Sequence, residues 1–246
     1  MSKISGKTAL VTGANRGMGK AYVEELLKLG VGKVIATARN PETLNELVAN
    51  AGGRVVAEQL DVTNQKQIDA LAAAHKDVSL LINNAGIAGF AGLIHAPDLD
   101  AARAEIETNY FGLLNVTRAF APILAANGGG AIVNMASIAS YVSFPVLGSY
   151  SASKAAVHSL TQGVRAELAA QGTLVVGVYP GPVDTDMAES FPVDKTPADV
   201  VVRNVLEAVE AGQEDVYPDP VAAEMHAGLM SNPKAVEKQT GEMLPG

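Results

Sequence analysis

Residues 8–19 read Thr8-Ala9-Leu10-Val11-Thr12-Gly13-Ala14-Asn15-Arg16-Gly17-Met18-Gly19, and how this stretch is read decides the fold. A short apolar run predicts a strand over 8–12, and the glycines lead into helical periodicity over 17–29. Glycines at a strand-to-helix turn let the backbone turn tightly and approach a pyrophosphate. The free N–H groups and dipole of the helix then favour its negative charge. A glycine turn that only packs leaves the same local pattern, so the rest of the chain must decide.

Outward from this turn, short β-branched runs alternate with longer helical segments, the signature of βαβ units and a mainly parallel sheet. Strands are expected at 33–37, 54–60, 78–83, 131–136 and 174–179, with a weaker one at 215–218. Helices are expected at 41–50, 64–75, 99–126, 150–171 and 197–212, several opening on a capping residue. Near-continuous apolar strands fit a sheet covered on both faces. There is no repeat, no low-complexity tract and no linker-like stretch, so residues 1–246 are expected to form one domain. The tail 221–246 mixes Met225, Leu229, Met230, Pro233 and Met243 with charges. It suits a packed extension, a lid or a subunit contact.

The 246 residues are 48% hydrophobic and 18% charged, which is ordinary for a globular protein. The net charge of −8 and a pI near 5.0 argue against attraction to nucleic-acid phosphates or anionic membranes. With no cysteine, thiol nucleophiles, disulfides and Cys-ligated metals are excluded. His75, His95, His158 and His226 lack ligand spacing, so no metal site is expected. The opening Met1-Ser2-Lys3-Ile4 resembles no secretory signal, and no long uncharged apolar run suggests a membrane span, so a cytoplasmic location is expected.

In a dinucleotide site the adenosine ribose meets the end of the second strand, here Thr37-Ala38-Arg39-Asn40. No carboxylate stands there to accept from a free 2′-hydroxyl, whereas Arg39 and Arg16 are suited to a 2′-phosphate. This favours NADP(H) over NAD(H), the bland alternative being two solvated arginines. Further on, Tyr150 and Lys154 stand at i and i+4 of a helical segment and so share a face. A phenol titrates near 10, but a nearby ammonium and a positive nicotinamide would favour phenolate and let Tyr150 exchange a proton with an alcohol or ketone. Ser137, just past a strand end, is placed to hydrogen-bond the substrate oxygen. A Tyr four residues before a Lys is weak evidence by itself; its position in the chain gives it weight.

The glycine turn, Asn83-Asn84-Ala85-Gly86, Asn109, Ser137, Tyr150 with Lys154, and Pro180-Gly181 occur in that order. The sequence thereby resembles a short-chain dehydrogenase/reductase of the classical type, from Lys7 to about Pro218. The resemblance implies a Rossmann-type doubly wound α/β domain, a mainly parallel seven-stranded sheet with helices on both faces, and hydride transfer between nicotinamide and substrate carbon. It makes Tyr150 the general acid/base and Lys154 the group that lowers its pKa and holds the nicotinamide ribose. Ser137 orients the substrate oxygen, and Asn109 supports a proton relay through water. Cofactor contacts are implied for Gly13, Asn15, Arg16, Gly17, Met18, Gly19, Arg39, Asp61, Val62, Asn84, Ala85, Gly86, Tyr150, Lys154, Pro180, Gly181, Val183 and Thr185. Asn83 reads as structural, and Asp184 and Asp186 as members of the loop after Pro180-Gly181. Met18 replaces a frequent Ile, a change that leaves backbone contacts alone.

The expected reaction interconverts a secondary alcohol and a ketone or aldehyde with NADP(H). Ser137, Tyr150, Phe144, Pro182 and Met187 are expected at the substrate, with 182–196 as the substrate loop. Phe90, Leu147, Phe191 and Val193 add apolar surface, favouring a modest hydrophobic or aromatic carbonyl compound. The resemblance also implies a homotetramer, with a homodimer as alternative. Competing readings are an NAD-dependent alcohol dehydrogenase and a nucleotide-binding regulatory protein without turnover.

Overall fold

The structure, a computed structural model, describes residues 3–189 and 191–245. Position 190 of the expected substrate loop and both extremes of the expected domain, 1–2 and 246, lie outside the described residues. Seven strands form one parallel sheet: β1 Thr8–Val11, β2 Lys33–Ala38, β3 Val55–Gln59, β4 Leu80–Asn83, β5 Ala131–Met135, β6 Leu174–Val178 and the short β9 Asp215–Val216. Their order is β3-β2-β1-β4-β5-β6-β9. The chain therefore winds one way from β1 to β3, then returns to β4 and winds the other way. That reversal puts a crevice at the carboxyl ends of β1 and β4, where an open α/β sheet receives ligands.

Strand periodicity explains the two cores. Ala9, Val11, Val34 and Ala36 face one side and pack with Tyr22 and Leu26 of α1 Gly17–Lys28 and Val202, Val205 and Leu206 of α7 Ala198–Ala211. Their sequence neighbours Leu10 and Ile35 face the other side, with Ile68 and Leu71 of α3 Gln65–Ala74 and Val116 and Phe120 of α5 Leu113–Ala126. Between β4, β5 and the helices behind them runs a buried polar chain. Asn83 Nδ2 donates to Thr117 Oγ1 at 3.0 Å and to Asn134 Oδ1 at 2.9 Å, and Asn134 Nδ2 donates to Thr161 Oγ1 at 3.1 Å. This is the structural part expected of Asn83.

Three expectations about elements need correction, and one strand pairing adds to the loop 182–196. The helix expected over 99–126 is interrupted: α4 Asp100–Glu105 passes into a wider π-helical stretch, Ile106–Gly112, before α5. Gly112 lets that stretch lie against Val62, since an added Cβ would sit 2.6 Å from Val62 Cγ2. The segment 41–50 starts as a 3₁₀ turn, Pro41–Leu44, capped by Asn40, before α2 Asn45–Asn50. At the ends of 182–196, β7 Val183–Asp184 pairs in parallel with β8 Thr196–Pro197, tying the two ends of that loop together. The weak strand at 215–218 stops at Val216, two residues before Pro218.

The tail forms α8 Pro220–Ser231 and α9 Pro233–Gly241. Its last residues lie over the loops that follow β4 and β5. Val146 N–H donates to Met243 O at 2.9 Å, and an added Cβ on Gly92 would meet Pro245 Cγ at 2.9 Å. Among the described residues no helix is long and apolar enough to cross a membrane.

Candidate active site

At the end of β1, Gly13 adopts φ 63°, and a Cβ on Gly19 would stand 2.0 Å from Gly13 O and 2.7 Å from Asn84 Nδ2. The turn is thus closed so tightly that only glycine fits. Asn84 Nδ2 donates to Thr12 O at 2.9 Å and Gly13 O at 3.0 Å, while Thr12 Oγ1 accepts from Asn84 N and Ala85 N. The loop after β4 is thereby laced to the glycine turn. Helix α1 begins after Arg16 with no side-chain cap, so its first N–H groups are left for a ligand. An uncapped N-terminus over a cradle that a Cβ would fill is the environment a pyrophosphate needs, and the residues present fit a dinucleotide.

The other expected cofactor residues lie around this crevice with differing freedom. Arg39 is exposed at the end of β2, and its carbonyl accepts from Gln59 Nε2. Arg16 is also exposed, but its Nη1 pairs with Asp186 Oδ2 at 3.2 Å across the crevice. Sequence reading placed Asp186 in the loop and missed this partner. Thr185 reaches the turn too, its Cγ2 3.2 Å from a Cβ built on Gly17. The Asp61 carboxylate is occupied by Thr63, accepting from its N–H at 2.9 Å and its Oγ1 at 2.7 Å. Gly181 N–H donates to Asp219 Oδ2, and Asp219 also caps α8 through Ala222 N.

The reactive end is assembled by β5, the π-helical stretch and α6 Gly148–Leu168. Tyr150 and Lys154 sit one turn apart at the start of α6, with Lys154 Nζ 5.6 Å from the centre of the Tyr150 ring. Ser137, extended just beyond β5, stands beside the Tyr150 phenol, and its Oγ accepts from Ala139 N at 3.1 Å. Lys154 is buried and donates to Met135 O at 2.6 Å. Asn109 occupies the π-helical stretch. Its Oδ1 accepts from Ile87 N at 2.8 Å, and its Nδ2 donates to Ile87 O and to Ser153 Oγ, both at 2.9 Å. Ser153 Oγ in turn donates to Tyr150 O at 2.7 Å, so Asn109 fixes both the loop after β4 and the first turn of α6.

Burial governs the protonation of the pair. Loss of solvation, the largest cause, pushes Tyr150 up to about 12, against the lowering effect of the neighbouring Ser137 hydroxyl. Loss of solvation also pulls Lys154 down to about 8. In the absence of a positive nicotinamide, Tyr150 is therefore a phenol at neutral pH, a state ready to give a proton.

Apolar side chains gather on the loop after β4 and within 182–196. Phe90 of the loop after β4 and Phe191 of the loop 182–196 place ring centres 5.4 Å apart. Phe90 is also the one described non-glycine residue with positive φ, 50°, a conformation that costs of order 1–3 kcal/mol. Met187, Leu93, Val193 and Met243 are exposed nearby in sequence or on contacting segments, whereas Phe144 and Pro182 are half-buried. Neither the strain at Phe90 nor the reach of Met243 over residue 146 has a signal in local sequence.

Residues 7–196 match the short chain dehydrogenase family. The chain belongs to that family. A short chain dehydrogenase from Burkholderia cenocepacia J2315, solved in complex with NADP, is 44% identical, with a TM-score of 0.92 over 98% of this chain and 99% of that one. A short-chain dehydrogenase/reductase from Burkholderia phymatum in complex with NAD is 27% identical, with a TM-score of 0.83 over 94% and 96%. Among curated sequences, an NADP-dependent 3-hydroxy acid dehydrogenase of Schizosaccharomyces pombe is 33% identical over 213 residues, covering 83% of this chain and 82% of that protein. The chain is thus an oxidoreductase of this family with a Rossmann-like sheet.

Proposed function

We propose that this short-chain dehydrogenase uses NADP(H) to interconvert a secondary alcohol and a ketone or aldehyde. The observation that carries the reading is the meeting of Ser137, Tyr150 and Lys154: a serine hydroxyl beside the phenol and the Lys154 Nζ 5.6 Å from the centre of its ring. The cofactor supplies the hydride acceptor or donor. Gly13, Asn15, Gly17, Met18 and Gly19 would hold its pyrophosphate. Asp61, Val62, Asn84, Ala85 and Gly86 would line its adenosine half, and Lys154, Pro180, Gly181, Val183 and Thr185 its nicotinamide half.

In the reducing direction Ser137 Oγ holds the substrate oxygen, and the Tyr150 phenol donates its proton as negative charge develops there. In the oxidising direction the same oxygen of Tyr150 takes the alcohol proton. Lys154, already paired with Met135 O, stabilises the phenolate by its charge and steadies the ribose, and Asn109 holds the first turn of α6 in register through Ser153.

NADP(H) is favoured because no carboxylate ends β2, while Arg39 is exposed there and Arg16 stands at the turn. The NADP-bound Burkholderia cenocepacia relative and the name of the yeast protein support this choice, and the NAD-bound relative supports the alternative. The Phe90–Phe191 pair and the exposed Met187 support a modest apolar or aromatic carbonyl substrate. Purified protein titrated with NADPH and NADH, then screened for cofactor consumption against apolar ketones, aldehydes, sugars and charged oxoacids, tests the reading. Tighter NADPH binding and turnover of the apolar set are expected; tighter NADH binding, or turnover confined to charged substrates, contradicts it.

A further inference from the structure

Eight of the twelve large apolar side chains exposed among the described residues lie in three short segments: 90–99 of the loop after β4, 187–193, and 243–244 of the tail. Ile94 is 86% exposed, Leu244 71% and Leu93 59%. Apolar groups scattered singly over a surface call for no explanation, but their concentration in one place marks a binding surface.

The three segments are fastened to one another and to the start of α6. Phe90 meets Phe191 with ring centres 5.4 Å apart. Val146 N–H donates to Met243 O at 2.9 Å, and Pro245 Cγ lies 2.9 Å from where a Cβ on Gly92 would stand. Leu93 Cγ lies 2.7 Å from the Cβ position of Gly148, the first residue of α6, and Tyr150 follows two residues on. The apolar rim is thus continuous with the turn of α6 that carries the phenol. Its charge narrows what can lie on it: residues 90–100, 184–195 and 242–245 carry seven carboxylates against one lysine and no arginine. Such a rim repels anionic membranes and phosphate-bearing acyl carriers, while an uncharged hydrocarbon chain is indifferent to it.

We propose that this rim takes the hydrocarbon tail of the substrate, so that the enzyme acts on uncharged carbonyl compounds, or the matching alcohols, that carry a long apolar chain. This rests on the reading of Tyr150 as acid/base at a carbonyl, and it makes Leu93, Ile94 and Leu244 specificity-determining residues. The reacting carbon is fixed beside Tyr150, and each methylene beyond it leaves water for the rim. A methylene buried on all sides gains roughly fourfold in affinity, and one lying on an open surface roughly twofold.

The test compares hexan-2-one with decan-2-one in wild type, Ile94→Asp and Leu244→Asp; both positions are exposed, so thermal midpoints should stay close to wild type. In wild type kcat/KM for NADPH consumption should be roughly tenfold or more higher with decan-2-one, and that ratio should fall to roughly threefold or less in each variant, where a carboxylate stands on the rim. Nile red, a neutral dye whose emission rises in apolar surroundings, reads the rim without turnover. Decan-2-one should displace it from wild type at a concentration roughly tenfold lower than hexan-2-one does, and both variants should bind it more weakly. Equal kcat/KM for the two ketones in wild type, a ratio unchanged in the folded variants, or no binding of the dye to wild type overturns the proposal. So does a lower mass of both variants in sedimentation, which would show that a second copy of the chain covers the rim. If neither ketone turns over, the functional reading fails while displacement of the dye still decides what the rim binds.

Discussion

Replacing Lys154 with methionine removes a buried ammonium from α6, and the consequence can be worked from its surroundings. Lys154 is 5% exposed, and burial holds it at about 8, against 10.5 for an ordinary lysine. Between those values the unfolded chain binds a proton that the folded chain has released, so the stability of the wild type rises with pH through that window. Below it both states are protonated, and the full difference, about 3 kcal/mol, opposes folding. From about pH 7 to about pH 9.5 roughly 2 kcal/mol of this is relieved. Lys154→Met lacks the group, while the tyrosines and other titrating residues are common to both proteins and cancel. Its lost bond to Met135 O is an offset that does not vary with pH. Thermal and urea melts of both proteins at the two pH values give the comparison. The stability of the variant relative to wild type should fall by roughly 2 kcal/mol, or roughly 4–8 °C, between them. A difference independent of pH would show that burial does not lower the Lys154 pKa, and would refute the electrostatic description of the site.

Three further outcomes follow from particular contacts. Asn134→Ala removes one acceptor from Asn83 Nδ2 and the donor to Thr161 Oγ1 inside the protein, and opens a void between them, so urea unfolding should show a loss of about 2–4 kcal/mol; a loss under about 1 kcal/mol would mean that water replaces the chain. Gly19→Ala drives a Cβ onto Gly13 O, so calorimetry should show NADPH affinity reduced roughly tenfold or more, and unchanged affinity would move the pyrophosphate elsewhere. Arg39→Asp should weaken NADPH roughly tenfold or more relative to NADH, whereas equal losses for the two cofactors would remove Arg39 from the phosphate.

What the sequence showed of this molecule was set by periodicity and by backbone need. The alternation of Ala9, Leu10 and Val11 between two helix layers follows from strand geometry, and glycine at 13 and 19 follows from a turn that has no room for Cβ. Ser137, Tyr150 and Lys154 were legible because one helical turn and one strand end bring them together. The bond from Gly89 N–H to Glu105 Oε1 was not, because it joins residues 16 positions apart across a loop. Nor was the pairing of Arg16 with Asp186, which are 170 positions apart. The π-helical stretch around Asn109 shows the same limit: apolar periodicity marks the helix over 99–126 but does not register a change of hydrogen-bond reach inside it.

The central claim, that the Tyr150 hydroxyl carries the proton in hydride exchange at a carbonyl, is tested most directly with Tyr150→Phe. NADPH consumption with an apolar ketone is measured beside NADPH affinity by calorimetry on the same preparations. The account predicts turnover lower by roughly a hundredfold or more with affinity within about threefold of wild type, because only the proton donor is lost. Turnover equal to wild type would contradict it.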